Sequence, residues 1–437
     1  MTKNYDVCIR GDGIVGRTLA LLLAQQRLRV ALVGHKEPPV ASSLTEPAPE
    51  SSLRPGSDVR AYAMNEASRQ LLEQLRAWPD SAAHGDNAAR SGITPVQEMQ
   101  IWGDQGGAIE FSAQKVEQPA LAWIADVPAL LQRLGEALRF QPQIETISAA
   151  SLPRATLTVH CEGQSSPGPG LANQPGALQN PAAVRTARFG AQWYYAPYAQ
   201  KAIAARLQLP QPHQGIARQW FIAGGEVLAL LPMGGAMGST LALVWSVAEE
   251  KADALEKMDD AEFCAALQES CSNAIAAGAA TAASAAAEPT AGETAATKPA
   301  KLLDDVQLCS PRATWPLALS TAQHWVGPGW ALAGDAAHTV HPLAGQGLNL
   351  GLADAACLAQ VLAAREYWRP LSDERLLRRY ERARKSDVAS MSLVTDGLQS
   401  LFTPTSGPWQ IARNFGMNGF DKSGFIKRWA MQQAAGK

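Results

Sequence analysis

At 437 residues the chain is longer than one simple core usually organises, so two intertwined domains are expected. Lys and Arg total 38 against 40 Asp and Glu, a charged share of 18% where roughly 25% is usual, while 46% of residues are apolar. A quiet surface with a net charge of −2 offers no general field to polynucleotides, and nucleic-acid partners are set aside.

The N-terminal text Asp6-Val7-Cys8-Ile9 is too short and interrupted for a secretion signal, and no later stretch supplies ~18 uninterrupted apolar residues. A soluble, cytoplasmic protein is expected. Val7 to Ile9 predicts a buried strand, Gly11 to Gly16 a turn, Thr18 to Ala24 a helix and Arg29 to Val33 a second strand, together a βαβ unit. Met99 to Trp102 and Ala108 to Phe111 flank Gly106-Gly107 as a hairpin, and Pro128 to Leu138 reads as a helix. Residues 164–182, rich in Pro, Gly, Gln and Asn, read as loop. Ile203 to Leu207, Ile216 to Phe221, Val227 to Leu231 and Thr240 to Trp245 follow at the spacing of an antiparallel sheet. Ala274 to Ala300 holds 14 alanines in 27 residues and one large apolar side chain, Ile275, too little burial to offset ordering. A largely disordered insertion is predicted there, with a short exposed helix before Glu288 as the alternative. Trp330 to Ala364 predicts a strand, a loop and a long helix with Leu348, Leu352, Ala355, Ala359 and Leu362 on one face, and Leu376 to Leu401 a further helix.

Two motifs carry chemistry. Gly11, Gly13 and Gly16, between a strand and a helix, suit a tight turn whose helix N-terminus receives a pyrophosphate. The acid expected at the end of the second strand is missing, since the chain there reads Val33-Gly34-His35. Either Glu37 substitutes or the adenosine is held by backbone and packing. In the second motif a strand runs through Trp330 into Gly334-Asp335-Ala336-Ala337-His338, and Pro342 to Asn349 opens the long helix. A carboxylate at a strand end can accept hydrogen bonds from flavin ribityl hydroxyls, and a helix N-terminus can face the flavin pyrimidine. His338 and His341 lack a third ligand at a recognisable spacing, so no metal is assigned. Cys8, Cys161, Cys264, Cys271, Cys309 and Cys357 form no C-x-x-C and read as buried reduced thiols.

Three stretches resemble the FAD-dependent aromatic hydroxylases of the para-hydroxybenzoate hydroxylase type, and within them the ubiquinone-biosynthesis hydroxylases: Gly11 to Gly16, Asp58 to Met64 with Ser68, and Gly334 to Asn349. Leu377 to Arg384, Asp387 and the region from Phe402 to Gly419 are similar to the same branch. The resemblance implies an α/β fold, with a discontinuous Rossmann-like FAD-binding domain over 1–75, 119–165 and 305–390. An antiparallel-sheet substrate domain then spans 76–118 and 185–304, and a helical C-terminal region 391–437. It implies FAD as cofactor, NAD(P)H as co-substrate, and insertion of one oxygen atom into an aromatic ring, most simply a lipophilic prenylated phenol. The FAD-binding residues implied are Gly11, Gly13, Gly16, Arg60, Gly334, Asp335, Pro342, Gly345, Gln346, Gly347, Leu348 and Asn349. An ordinary surface role beside an acid is the alternative for Arg60.

Departures from the family pattern are also visible. Cys161-Glu162-Gly163 stands where the family has Asp-Gly, with Arg185 the nearest candidate for the arginine that follows, and Val127-Pro128 offers no basic side chain to the phosphates. No catalytic acid or base is named. Phe402, Trp409, Phe415, Phe420, Phe425 and Trp429, interleaved with Arg413, Lys422, Lys427 and Arg428, either close a core or meet a membrane or a biosynthetic partner. A soluble aromatic substrate and a non-catalytic flavin-binding accessory role are the rival readings.

Overall fold

The computed structural model describes residues 4–34, 58–79, 92–103, 108–148, 153–163, 193–222, 224–234, 237–284, 303–339 and 347–402. Three sheets organise them. The first has the order β16 (Val326–Gly327), β17 (Trp330–Leu332), β9 (Ala155–His160), β1 (Tyr5–Arg10), β2 (Val30–Gly34), β8 (Ile144–Ser148). All its pairings are parallel except β16 with β17. As befits parallel strands covered on both faces, β2 is buried at every residue.

The second sheet runs β18 (His338–Thr339), β15 (Ala313–Ala322), β10 (Trp193–Gln208), β13 (Thr240–Ala248), β12 (Glu226–Met233), β11 (Ile216–Ile222), β5 (Glu98–Trp102), β6 (Ala108–Ser112), with β14 (Gln307–Leu308) also on β10. The four predicted runs between 203 and 245 are its central strands. One feature departs from a plain antiparallel array: β11 pairs with β5 in parallel, Ile216 beside Glu98, which joins the early hairpin to the later sheet. A third, antiparallel sheet of β3 (Ala61–Met64), β7 (Ala122–Asp126) and β4 (Ile93–Val96) links the two.

Helices cover the parallel sheet. They are α1 (Ile14–Gln25), α3 (Val127–Arg139) with Pro128 in its first turn, α6 (Gly347–Ala363) and α7 (Glu374–Phe402). Leu19, Leu23, Leu358 and Leu362 pack with Val7, Ile9 and Val159 into one core. The short α2 (Glu66–Gln74) is capped by Asn65, which accepts from the Ser68 N–H at 2.9 Å. On the large sheet, Leu207, Leu243 and Trp245 face α4 (Glu249–Lys257) and α5 (Asp260–Ser284), whose Leu255, Phe263 and Leu267 complete a second core. Ala61, Val96, Ile124, Ala217, Met233 and Ala242 pack the third sheet against the large one.

The alanine-rich stretch corrects one expectation. Residues 274–284 continue α5, so over them the alternative of a helix before Glu288 holds in place of disorder, because Phe263, Leu267 and Cys271 already anchor that helix and alanine extends a formed helix at least cost. Its remainder, 285–300, lies outside the described residues, as do the loop predicted at 164–182 and residues 403–437 of the C-terminal region. No described helix is long and apolar enough to cross a membrane.

Candidate flavin site

Adjacent parallel strands β2, β1, β9 and β17 all end on the same edge. Their C-terminal ends lead into Gly34, Gly11-Asp12-Gly13, Cys161-Glu162-Gly163 and Gly334-Asp335 respectively. An open α/β sheet binds ligands outside these carboxyl ends. Both motifs, more than 300 residues apart in the chain, therefore meet at one edge.

The first turn is built for close approach. Gly11 sits at φ +106°, and a Cβ there would stand 2.6 Å from the Cys161 carbonyl oxygen. A side chain at Gly16 would overlap the Gly11 carbonyl, whereas a Cβ on Gly13 would meet nothing within 4 Å. Gly13 is also the N-cap of α1, with no side-chain cap bond. The helix thus presents uncapped N–H groups beside open space, which fits an anionic diphosphate. Arg17 clamps the turn, its Nε donating to the Asp12 carbonyl at 2.6 Å and its Nη1 to the Leu131 carbonyl at 2.8 Å.

The second turn is locked against the first. Gly334 takes φ +63°, and a Cβ on it would touch Val15 Cγ2 at 3.4 Å. On α6, a Cβ on Gly351 would stand 2.8 Å from the same methyl and 3.4 Å from Gly334 Cα. Val15 therefore fills a slot between the two glycines and joins α1, the Gly334 turn and α6. Beneath them lies Asp354, fully buried. It accepts from the Gly334 N–H at 2.9 Å, from His338 Nε2 at 2.7 Å and from Arg384 Nε at 2.8 Å. Burial works against ionisation of Asp354, yet His338 and Arg384 outweigh it and hold the carboxyl below its ordinary range. His338 stacks on Trp325 with centroids 4.9 Å apart, and Tyr380 donates to the Leu332 carbonyl at 2.8 Å, so α7 braces the strand that carries the turn.

Asp335, next to the braced glycine, is exposed at the strand edge. Its charge is felt by Arg60 and Tyr62 on the segment leading into and along β3. Arg60 is committed first to Asp58, with Nε–Oδ1 and Nη2–Oδ2 separations of 2.9 and 2.6 Å, and that pairing raises its pKa. The Arg60 carbonyl accepts from Arg206 Nη2 at 3.0 Å, and the same nitrogen meets Asp126 at 2.5 Å, tying β10 to the linking sheet. Burial pushes the Asp126 carboxyl above its ordinary range despite Arg206.

The remaining predicted residues divide. Gly347 and Leu348 open α6, and Leu348 is buried against Leu72 and Leu134. Asn349 spends both side-chain atoms on protein: Oδ1 accepts from the Asn65 N–H at 3.0 Å and Nδ2 donates to the Ala63 carbonyl at 2.8 Å. It staples α6 to the end of β3. Pro342, Gly345 and Gln346 lie outside the described residues, as do His341, Glu37 and Arg185. Glu162, standing where the family has an Asp, is paired with Arg10 Nε at 3.1 Å and His160 Nδ1 at 3.2 Å. Sequence reasoning missed Asp354; the one signal was an acid beside Ala355 on the predicted apolar face.

Comparison with known proteins places this architecture. The FAD binding domain family matches residues 294–393. The ubiquinone biosynthesis monooxygenase COQ6 of Drosophila melanogaster is 30% identical over 453 residues, covering 100% of this chain and 91% of that protein. The chain belongs to the FAD-dependent ubiquinone-biosynthesis hydroxylase family. The 3-demethoxyubiquinol 3-hydroxylase of Escherichia coli K12, 26% identical, is matched over 99% of this chain and 98% of its own length. Among solved structures, p-nitrophenol 4-monooxygenase PnpA from Pseudomonas putida DLL-E4 superposes with a TM-score of 0.65 at 14% identity, over 99% of this chain and 98% of that one. That likeness shows the fold alone. Membership of the family makes this chain an FAD-dependent monooxygenase with NAD(P)H as co-substrate.

Proposed function

We propose that this monooxygenase hydroxylates the ring of a prenylated phenol on the way to ubiquinone. The carrying observation is the slot in which Val15 joins the Gly11–Gly16 turn to the Gly334 turn and α6, bringing both flavin motifs to one sheet edge in a chain that matches ubiquinone hydroxylases over its full length. FAD supplies the redox and oxygen-transfer chemistry when bound. Gly11, Gly13 and Gly16 with the α1 N-terminus hold the diphosphate. Asp335 accepts from sugar-chain hydroxyls, and Gly347 and Leu348, opening α6, place a helix N-terminus where negative charge develops. The division into an FAD-binding part (1–75, 119–165, 305–390), a substrate part (76–118, 185–304) and a C-terminal part (391–437) follows the same reading. The large sheet is held to the linking sheet through the apolar seam at Ile124, Met233 and Ala242, and the chemistry requires that the assembled site exclude water. A lipophilic substrate calls for delivery from a membrane or from a partner enzyme, and the aromatic and basic stretch beyond residue 402 provides the contact.

A strain lacking the protein should accumulate a prenylated ring short of one hydroxyl. Purified FAD-loaded protein should consume oxygen with NAD(P)H, release mainly hydrogen peroxide alone, and shift to hydroxylated product when that intermediate is added. An unchanged quinone profile would remove the quinone assignment, and no NAD(P)H oxidation with any phenolic ring would favour the accessory reading.

A further inference from the structure

The strand end that should carry the ribose-binding acid is Gly34, yet its side-chain space is already occupied. A Cβ built on Gly34 would stand 2.6 Å from Asp12 Cβ and overlap the Asp12 carboxylate outright. Asp12 therefore lays its carboxylate over the end of β2 from the middle of the glycine-rich turn. Two features fix it there. Parallel register sets Arg10 beside Val33, and the Gly11 N–H donates to the Val33 carbonyl at 2.9 Å. From the other side Arg17 Nε grips the Asp12 carbonyl. Among the described residues, the half-buried Asp12 carboxylate takes no hydrogen bond and no ion pair.

We propose that Asp12 supplies the carboxylate for the adenosine ribose hydroxyls, replacing from the turn the acid missing at position 34. This rests on the FAD reading above. A side chain at 34 and an acid at 12 exclude each other in space, so glycine at one and aspartate at the other form a matched exchange. An ionised carboxylate accepts hydroxyl hydrogen bonds with charge assistance, and its place on β2 leaves the uncapped N–H groups of α1 to the diphosphate.

The test refills apoprotein with FAD and with the FAD analogue lacking the adenosine 2′-hydroxyl, reading affinity from quenching of flavin fluorescence. Wild type should prefer FAD by about tenfold, the loss expected for one charge-assisted hydrogen bond. Asp12→Ala should bind FAD about tenfold more weakly and lose the preference, while binding the analogue nearly as wild type does. Gly34→Glu alone should bind FAD poorly because two carboxylates contend for one volume. The exchange Asp12→Gly with Gly34→Glu should recover both affinity and preference. Equal wild-type affinities for FAD and analogue, or an Asp12→Ala variant that keeps the preference, would overturn the assignment. Should Asp12→Ala fail to fold, the wild-type comparison and the exchange variant decide alone. Wild type that binds neither flavin would instead sink the FAD reading itself.

Discussion

Exchanging Asp354 for asparagine should cut the tie to Arg384 beneath the Gly334 turn while leaving the Gly334 hydrogen bond in place and the space filled. In the native protein Oδ2 accepts from Gly334 and His338, and Oδ1 from Arg384. An asparagine with its carbonyl at the Oδ2 position keeps the first two bonds, but its amide then faces Arg384 Nε, donor against donor. One charge-assisted bond is lost, about 1.5–3 kcal/mol. Arg384 also loses a buried counter-charge, which places an upper bound of about 3–5 kcal/mol, softened because Asp387 still meets Nη1 at 2.6 Å. A cost of about 3 kcal/mol lowers the melting temperature by roughly 6–12 °C, using about 2–4 °C per kcal/mol for large domains. Asp354→Ala removes both acceptor oxygens and all three bonds and should cost more, and only this variant should also shed flavin markedly, since only it frees the Gly334 N–H. The acid limb supplies a second readout. A carboxyl held below its ordinary pKa when folded contributes stability that is complete above about pH 4 and disappears as pH falls through the folded value. Asparagine does not titrate, so the gap between wild type and Asp354→Asn should narrow below about pH 4. Equal melting temperatures at pH 7, or a gap that persists unchanged in acid, would refute the account.

Asp335→Ala should fold normally but hold FAD at least tenfold more weakly, for the loss of a charge-assisted bond of about 1.5–3 kcal/mol; stoichiometric FAD in the purified variant would remove that role. Gly351→Ala should destabilise by about 1 kcal/mol in thermal melts, because overpacking against Val15 of about 1–3 kcal/mol exceeds the helix-propensity gain of about 1 kcal/mol. In a Val15→Ala background, which removes the opposing methyl, the same change should be neutral or stabilising, and an unchanged penalty there would deny the slot.

Where an element's identity depends on its own text, the sequence was readable. The βαβ unit declares itself through an apolar run, a glycine turn and a helical apolar face within thirty residues, and the structure places the helix at Ile14–Gln25 between strands at Tyr5–Arg10 and Val30–Gly34. Elements whose state is set by a neighbour were not readable. Ala274 to Ser284 carries no burial signal of its own, which makes a helix there only the second reading of the text, and it is helical because Phe263 and Leu267 hold the turns before it. The parallel pairing of β11 with β5 leaves no mark in either strand, since it is set by a partner more than a hundred residues away in the chain.

Site residues divide along the same line, and the division explains why aligned letters can mislead. The roles proposed for Asp335 and the glycines rest on backbone shape or a single exposed carboxylate, which local sequence can express. Asn349 sits inside the most specific motif, yet its amide is consumed by Ala63 and Asn65; its side chain serves the seat of the helix. Asp354 and Asp12 are the converse. Neither letter stands out in the text, and each matters only through a partner distant in sequence: Gly334 and Arg384 for the first, Gly34 for the second. A missing acid at position 34 reads as a lost contact when the strand is viewed alone. Set beside the turn that packs on it, the same glycine is the clearance that an aspartate at 12 requires.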